Sequence, residues 1–496
     1  MLLVLIDIMV GFYLIAILFV LFHSLFDAHL IFHYLKSNKK EKAKTFEKGY
    51  TPFVTIQLPI FNELHVVERL IDAVAVIEYP NNKIEIQVLD DSTDETTQVI
   101  ANKISTLNQK NIQIHHIKRD NREGFKAGAL KYGLSLSKGE FIAVFDADFL
   151  PAKDFLLRTI PYFNDDNIGM VQTKWGHVNK ESSLLARLQA IALDGHFSIE
   201  QQGRNNAGYF INFNGTAGIW RKETILDAGN WQADTLTEDL DLSYRAQMKG
   251  WKFKYLQTYT TPAELPPLMS ALKSQQFRWT KGGAETAKKN LKRLFSSTLA
   301  YPVKLHGAFH LIYSFGFVSI ILFALLTVPL LFVKQHFPQY DIFLELSKLV
   351  GVSFLIYVLH YLISYFNNTN GSIWKKISGF LLYFPLFVSL FIGLSLSNSI
   401  GIIQGYWGIK TGFVRTPKFN SLNSTTNAIK SNYASFKINW VTITEGVLIF
   451  YFLFGLIQAI QFKNYGSIPL LTLAFVGFTM VFSMSILEKT KKASMK

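Results

Sequence analysis

Two aspartates one residue apart, Asp146 and Asp148, end the short apolar run GEFIAVFDADFL of residues 139–150. At the carboxyl end of a parallel strand, such a pair stands in the crevice where α/β sheets bind ligands. Hard oxygen donors there suit Mg²⁺ or Mn²⁺, which take few protein carboxylates and complete their shell with water and phosphate oxygens. The chemistry this spacing allows is a divalent cation that joins the chain to a nucleotide diphosphate. The plainer alternative is two aspartates finishing a strand and opening a turn, so the pair needs companions elsewhere.

Four other stretches supply them. In LDDSTDET, Asp90 and Asp91 end an apolar run where their carboxylates could accept hydrogen bonds from a base or ribose, or simply cap the next helix. In RDNREGFKAGAL, the cations Arg119, Arg122 and Lys126 precede the small residues Ala127, Gly128 and Ala129, a combination that admits and neutralises a diphosphate. TED, residues 237–239, lies in an acidic run to Asp241; it could hold a base for an acceptor hydroxyl, and it also reads as a helix cap. QQFRW, residues 275–279, offers a cation and an indole face on an amphipathic helix, or an aromatic-basic anchor at lipid headgroups.

The elements that must position these residues alternate. From Phe53, apolar strands (FVTIQLP, IEIQVLD, IQIHHI, FIAVF) interleave with helical stretches at 63–77 and 94–104, which predicts a doubly wound, mainly parallel α/β sheet. No GxGxxG follows the first strand, so a Rossmann dinucleotide site has no support.

That α/β stretch sits between apolar ends. Of the 496 residues, 49% are hydrophobic and 15% aromatic, which suits a membrane protein with a soluble middle. The net charge of +14 then favours anionic lipid and phosphorylated substrate over nucleic acid. With no cysteine, disulfides, thiol catalysis and zinc-thiolate sites are excluded. Residues 1–23 are long enough to span a bilayer, and no basic residue precedes them and no small-residue cleavage site follows, so they read as a retained span. The lysine cluster at 36–44 places the following domain on the cytoplasmic side.

Further spans are expected at 305–333, 349–366, 441–460 and 468–487. Basic flanks on both sides of 377–404, with Pro385 inside it, predict a re-entrant or interfacial helix pair there. The expected organisation is an N-terminal span (1–33), a cytosolic domain with interfacial helices (34–304) and a C-terminal membrane region (305–496) containing a loop at 405–438.

Taken in order, the motifs resemble the membrane-embedded inverting glycosyltransferases of family 2, the group of cellulose, chitin and hyaluronan synthases, over about residues 51–304. The resemblance implies a GT-A type nucleotide-sugar domain between transmembrane helices. It implies nucleotide contacts from Asp90, Asp91, Arg122, Lys126 and Asp146, and a Mg²⁺ or Mn²⁺ site at Asp146 and Asp148. Asp239 matches the family's catalytic base, with Glu238 beside it, and Gln275, Arg278 and Trp279 match its Q-x-x-R-W motif.

QVLDDSTDET, FKAGAL, VQTKW, FNGTAG and QQFRW are most similar to the cellulose-synthase-like A and C branch, whose members make β-1,4-linked mannan, glucomannan or glucan backbones. Asn214, Gly215 and Thr216 would then border the acceptor, and Trp175 could stack on a sugar ring. FVRTPK resembles the synthases' gating loop at Phe413, Thr416 and Lys418, departing from the pattern at Arg415.

The resemblance implies a hexosyltransferase that moves glucose or mannose from UDP-glucose or GDP-mannose onto a growing β-linked polysaccharide exported through its own helices. It would work at the inner or plasma membrane, without nucleic acid, with room for accessory export or periplasmic proteins. Two alternatives remain at this stage. A single-addition lipid glycosyltransferase shares the donor motifs but not the number of C-terminal spans; a non-enzymatic channel or sensor has no need to keep Asp239 beside Asp146, Asp148 and Arg278.

Overall fold

A computed structural model describes residues 1–36, 51–108, 112–412, 418, 420 and 439–494. The strands are β1 (Val54–Ile60), β2 (Ile84–Asp90), β3 (Ile114–Lys118), β4 (Phe141–Val144), β5 (Ile168–His177), β6 (Gly218–Arg221) and β7 (Lys252–Ala263). They form one sheet in the order β3-β2-β1-β4-β6-β5-β7. Every residue of β2 and β4 is buried, as expected of strands covered on both faces.

The alternation in FIAV shows how the two faces are filled. Phe141 and Ala143 pack with Leu70 and Ile71 of α2 (Val67–Ala75) and Ile100 and Ile104 of α3 (Thr96–Asn108). Ile142 and Val144 pack on the opposite side with Leu130 and Leu134 of α4 (Phe125–Leu136).

The sheet is parallel except at β6, which runs antiparallel to both β4 and β5. That reversal has a positional consequence. A strand antiparallel to β4 begins where β4 ends, so the turn leading into β6 arrives beside the residues that follow β4. The order also reverses between β1 and β4, and this switch point opens a crevice at their carboxyl ends.

Among the described residues, six helices are long and apolar enough to cross a membrane. The first, Leu2–Lys36, continues three residues past the expected boundary at 33. After α5 (Glu238–Met248) and the long α6 (Met269–Ser296), the chain enters α7 (Tyr301–Ile312), so the expected 304/305 boundary falls inside a helix.

The expected helix pair over 377–404 is instead one helix, α8 (Ile373–Trp407), with Pro385 inside it. Its small residues form a packing face. A Cβ added at Gly393 would lie 2.3 Å from the Gly477 carbonyl, and one at Gly405 would lie 2.6 Å from the Lys281 carbonyl on α6. The last two long helices are α9 (Trp440–Gln461) and α10 (Ile468–Ser494).

The close approach of α8 and α10 makes a direct test. A Cβ at Gly477 would meet the Ser389 carbonyl at 2.0 Å, whereas one at Gly11 in the first helix meets nothing within 4 Å. Gly477→Ala should destabilise the detergent-solubilised protein by about 1–3 kcal/mol through overpacking. Gly11→Ala should leave its thermal midpoint unchanged, and equal midpoints for both variants would contradict the packing described.

Candidate active site

The crevice at the switch point is an open cleft. It is lined by Asp91, Arg122, Lys126, Asp146 and Asp148 together with Trp175, Asn214, Gly215, Gln275, Arg278 and Trp279. Glu238 and Asp239, from the first turn of α5, and Lys418 complete the wall. Stretches of chain far apart in sequence thus meet around one space.

Asp146 follows β4, and its backbone N–H donates to Thr216 Oγ1 at 2.9 Å, while Ala217 N–H donates to the Val144 carbonyl at 2.9 Å. Thr216 itself is buried and orients Asp146 from behind the cleft wall. Gly215 has φ +80°, and a Cβ there would stand 2.9 Å from Asp239 Oδ2, so glycine is required both by the backbone and by the approach of the acid. Its carbonyl accepts from Lys126 Nζ at 2.9 Å, and the same ammonium lies 2.5 Å from Asp146 Oδ1. One lysine therefore ties the strand-end aspartate to the FNGTAG turn.

The charged groups crowd together, largely buried. Burial works against the charge on Lys126, but Asp146 and Glu238 overcome it and hold the ammonium above its ordinary pKa. Burial likewise opposes ionisation of Asp146, and Lys126 with Lys418 reverses that, keeping its carboxyl below the usual range. Burial, with Glu238 next to it, pushes Asp239 up to about 7. Glu238 is raised too, mainly by burial. Arg278 is lowered by burial and faces Glu238, Asp146 and Asp239. A carboxyl with its pKa near neutrality can take a proton from a hydroxyl and release it again.

Asp146 and Asp148 suit a divalent cation. The structure already seats a positive group on each, Lys126 on Asp146 and Lys418 on Asp148. Among the described residues no cluster of three or more His, Cys, Asp or Glu forms a metal cage. Two carboxylates with coordination left open are the donor set of an ion that also takes phosphate oxygens.

Several residues depart from the sequence reading. Asp90 does not line the cleft; its buried carboxylate accepts from Ser92 N, Thr97 Oγ1 and His116 Nε2 at 2.8–2.9 Å, so its acceptor capacity is spent on shaping the loop. Arg119, read as a diphosphate cation, instead grips Asp91 and donates to the Glu123 carbonyl at 2.8 Å. Phe413 and Thr416 lie outside the described residues.

The sequence reading passed over two other residues of the cleft. Glu63 is buried there, 3.9 Å from Lys418 Nζ. Its signal was available, since FNE places an acid just after β1. His177 lines the cleft 3.3 Å from Asp194, a pairing across seventeen residues that no local motif announces.

Strand order and the reversed strand β6 define an α/β domain of the GT-A type. Residues 52–282 match the family model "Glycosyltransferase like family 2". Over 288 residues it is 41% identical to a probable glucomannan 4-beta-mannosyltransferase 4 of Oryza sativa subsp. japonica, covering 57% of this chain and 52% of that protein. Over 269 residues it is 42% identical to glucomannan 4-beta-mannosyltransferase 9 of Arabidopsis thaliana, covering 53% and 50%. The chain thus aligns with about half the length of these relatives. Its fold is similar to that of the mannosyltransferase PcManGT from Pyrobaculum calidifontis in complex with GDP-Man and Mn²⁺, with a TM-score of 0.56 at 16% identity over 80% of this chain and 100% of that one.

The buried acid carries a testable cost. Asp239 has a folded pKa of about 7 against an ordinary 3.8, so the folded chain holds that proton more tightly than the unfolded one. Stability is then present at low pH and lost as pH rises through that window. Asp239→Asn should raise the thermal midpoint relative to the parent at pH 8, with the difference clearly smaller near pH 5 and vanishing only below the ordinary carboxyl value of 3.8, where folded and unfolded chains are both protonated. An unchanged difference at both pH values would refute the raised pKa.

Proposed function

We propose that this protein is an inverting hexosyltransferase that moves a sugar, most consistent with mannose from GDP-mannose, onto the end of a β-linked polysaccharide. The observation that carries this reading is the meeting of Asp146, Asp148 and Asp239 with Lys126 and Arg278 in one cleft. The names of the similar glucomannan mannosyltransferases favour mannose over glucose and a polymer over a single lipid-linked addition.

Each residue has a part in a single displacement. Asp239 takes the proton of the attacking acceptor hydroxyl, while Lys126 and Arg278 neutralise the charge that collects on the departing diphosphate. Mg²⁺ or Mn²⁺ held by Asp146 and Asp148 would draw further charge from that leaving group when bound. Glu238 keeps Asp239 basic by repulsion. Asn214, Gln275 and Trp279 border the acceptor side, and Trp175, set edge-on to Phe149 with ring centroids 5.1 Å apart, presents an apolar surface for a sugar ring.

The catalytic domain faces the cytoplasm, on the balance of basic loops, and the six long helices give the growing chain a route out through the inner or plasma membrane. Lys418, seated on Asp148, belongs to the segment resembling a gating loop and would be displaced when the cation and donor enter.

The test is transfer by purified protein in nanodiscs supplied with GDP-mannose or UDP-glucose and Mn²⁺ or Mg²⁺, with the product digested by linkage-specific glycanases. Mannan-type polymer is expected, and Asp239→Asn should lower turnover by about 10²–10⁴-fold while nucleotide binding persists. Full activity in that variant would remove Asp239 from the reaction.

A further inference from the structure

The apolar helices α9 and α10 each contain one acid, Glu445 and Glu488, and both reach the same partner. Acids in such helices are costly and are kept where they hold something. Glu445 is fully buried, with both carboxylate oxygens 2.8 Å from Lys273 Nζ on α6. Glu488 accepts from the backbone N–H of Met269 and, at 3.1 Å, from that of Ser270, the first two residues of α6.

Local sequence explains why α6 needs them. Its N-cap residue is Leu268, which offers no side-chain acceptor, so the free N–H groups of the first turn must be satisfied from elsewhere. The acceptor comes from the far end of the chain. Arg278 follows Lys273 by about one and a half helical turns, so whatever fixes the start of α6 also fixes the height at which Gln275, Arg278 and Trp279 enter the cleft.

We propose that Glu445 and Glu488 are positioning residues for glycosyl transfer, acting through α6 to set Gln275, Arg278 and Trp279 against donor and acceptor. The inference rests on the transferase reading. It makes the last two membrane helices part of the catalytic unit, in addition to any part they take in passage of the product. Neither acid lines the cleft, so their effect on the reaction is transmitted by the helix they hold.

The test compares the full-length parent with Glu488→Ala, Glu488→Gln and the paired variant Lys273→Met/Glu445→Leu, which removes a buried ion pair without stranding either charge. GDP-binding sites are titrated calorimetrically in the presence of Mn²⁺, and turnover is expressed per titrated site, so that misfolded protein does not count. Turnover per site should fall by about tenfold in Glu488→Ala and in the paired variant, with Glu488→Gln in between because its amide oxygen still accepts. Turnover per site within about twofold of the parent would overturn the proposal. So would loss of the nucleotide sites themselves, since the acids would then serve folding alone. A parent that binds nucleotide but transfers no sugar would instead refute the transferase reading.

Discussion

The structure depends on the burial of opposed charges in one cleft. Removing an ion from water costs roughly several kcal/mol, and the cost is offset only where counter-charges stand close and in good geometry. Lys126 on Asp146 and Lys418 on Asp148 provide such contacts. Among the described residues no cation hydrogen-bonds Asp239, and burial, with Glu238 beside it, pushes its carboxyl up to about 7. Within one buried space the lysine contacts hold one acid as an anion, while burial leaves the other poised to exchange a proton.

Topology brings these groups together. A wholly parallel sheet would carry the FNGTAG turn away from the end of β4; the reversed strand β6 delivers it there, with Thr216 on the Asp146 amide and Gly215 between Lys126 and Asp239. The glycine has two constraints at once, a positive φ and an acid at van der Waals distance. Helix α6 also lines the cleft, and the long apolar helices α8, α9 and α10 pack on it or hold its start. The α/β domain and the long apolar helices are therefore joined through α6.

Much of this was legible in the chain itself, for a physical reason. FIAV and IEIQVLD are buried on both faces and leave an unbroken apolar signature, and acids just beyond them point to the crevice. Asp146, Asp148, Asp239, Arg278 and Trp279 were found because each sits in a compact motif. What escaped was decided by tertiary partners. Asp90 reads like Asp91, but His116, Thr97 and Ser92 occupy its oxygens, and only the pairing of β2 with β3 brings His116 near. The small residues of α8 gave a polar face whose neighbour, helix or water, composition does not state. Glu63 and the His177–Asp194 pair belong to no repeat or motif.

The central claim is that Asp146 and Asp148 share a divalent cation with a nucleoside diphosphate, in place of the lysine contacts. Calorimetric titration of GDP with and without Mn²⁺ tests it most directly, because each ligand must tighten the other by the same factor. The expected result is at least about a tenfold gain in GDP affinity on adding Mn²⁺, lost in Asp148→Ala. GDP binding of equal strength in Mn²⁺ and in EDTA would contradict the account.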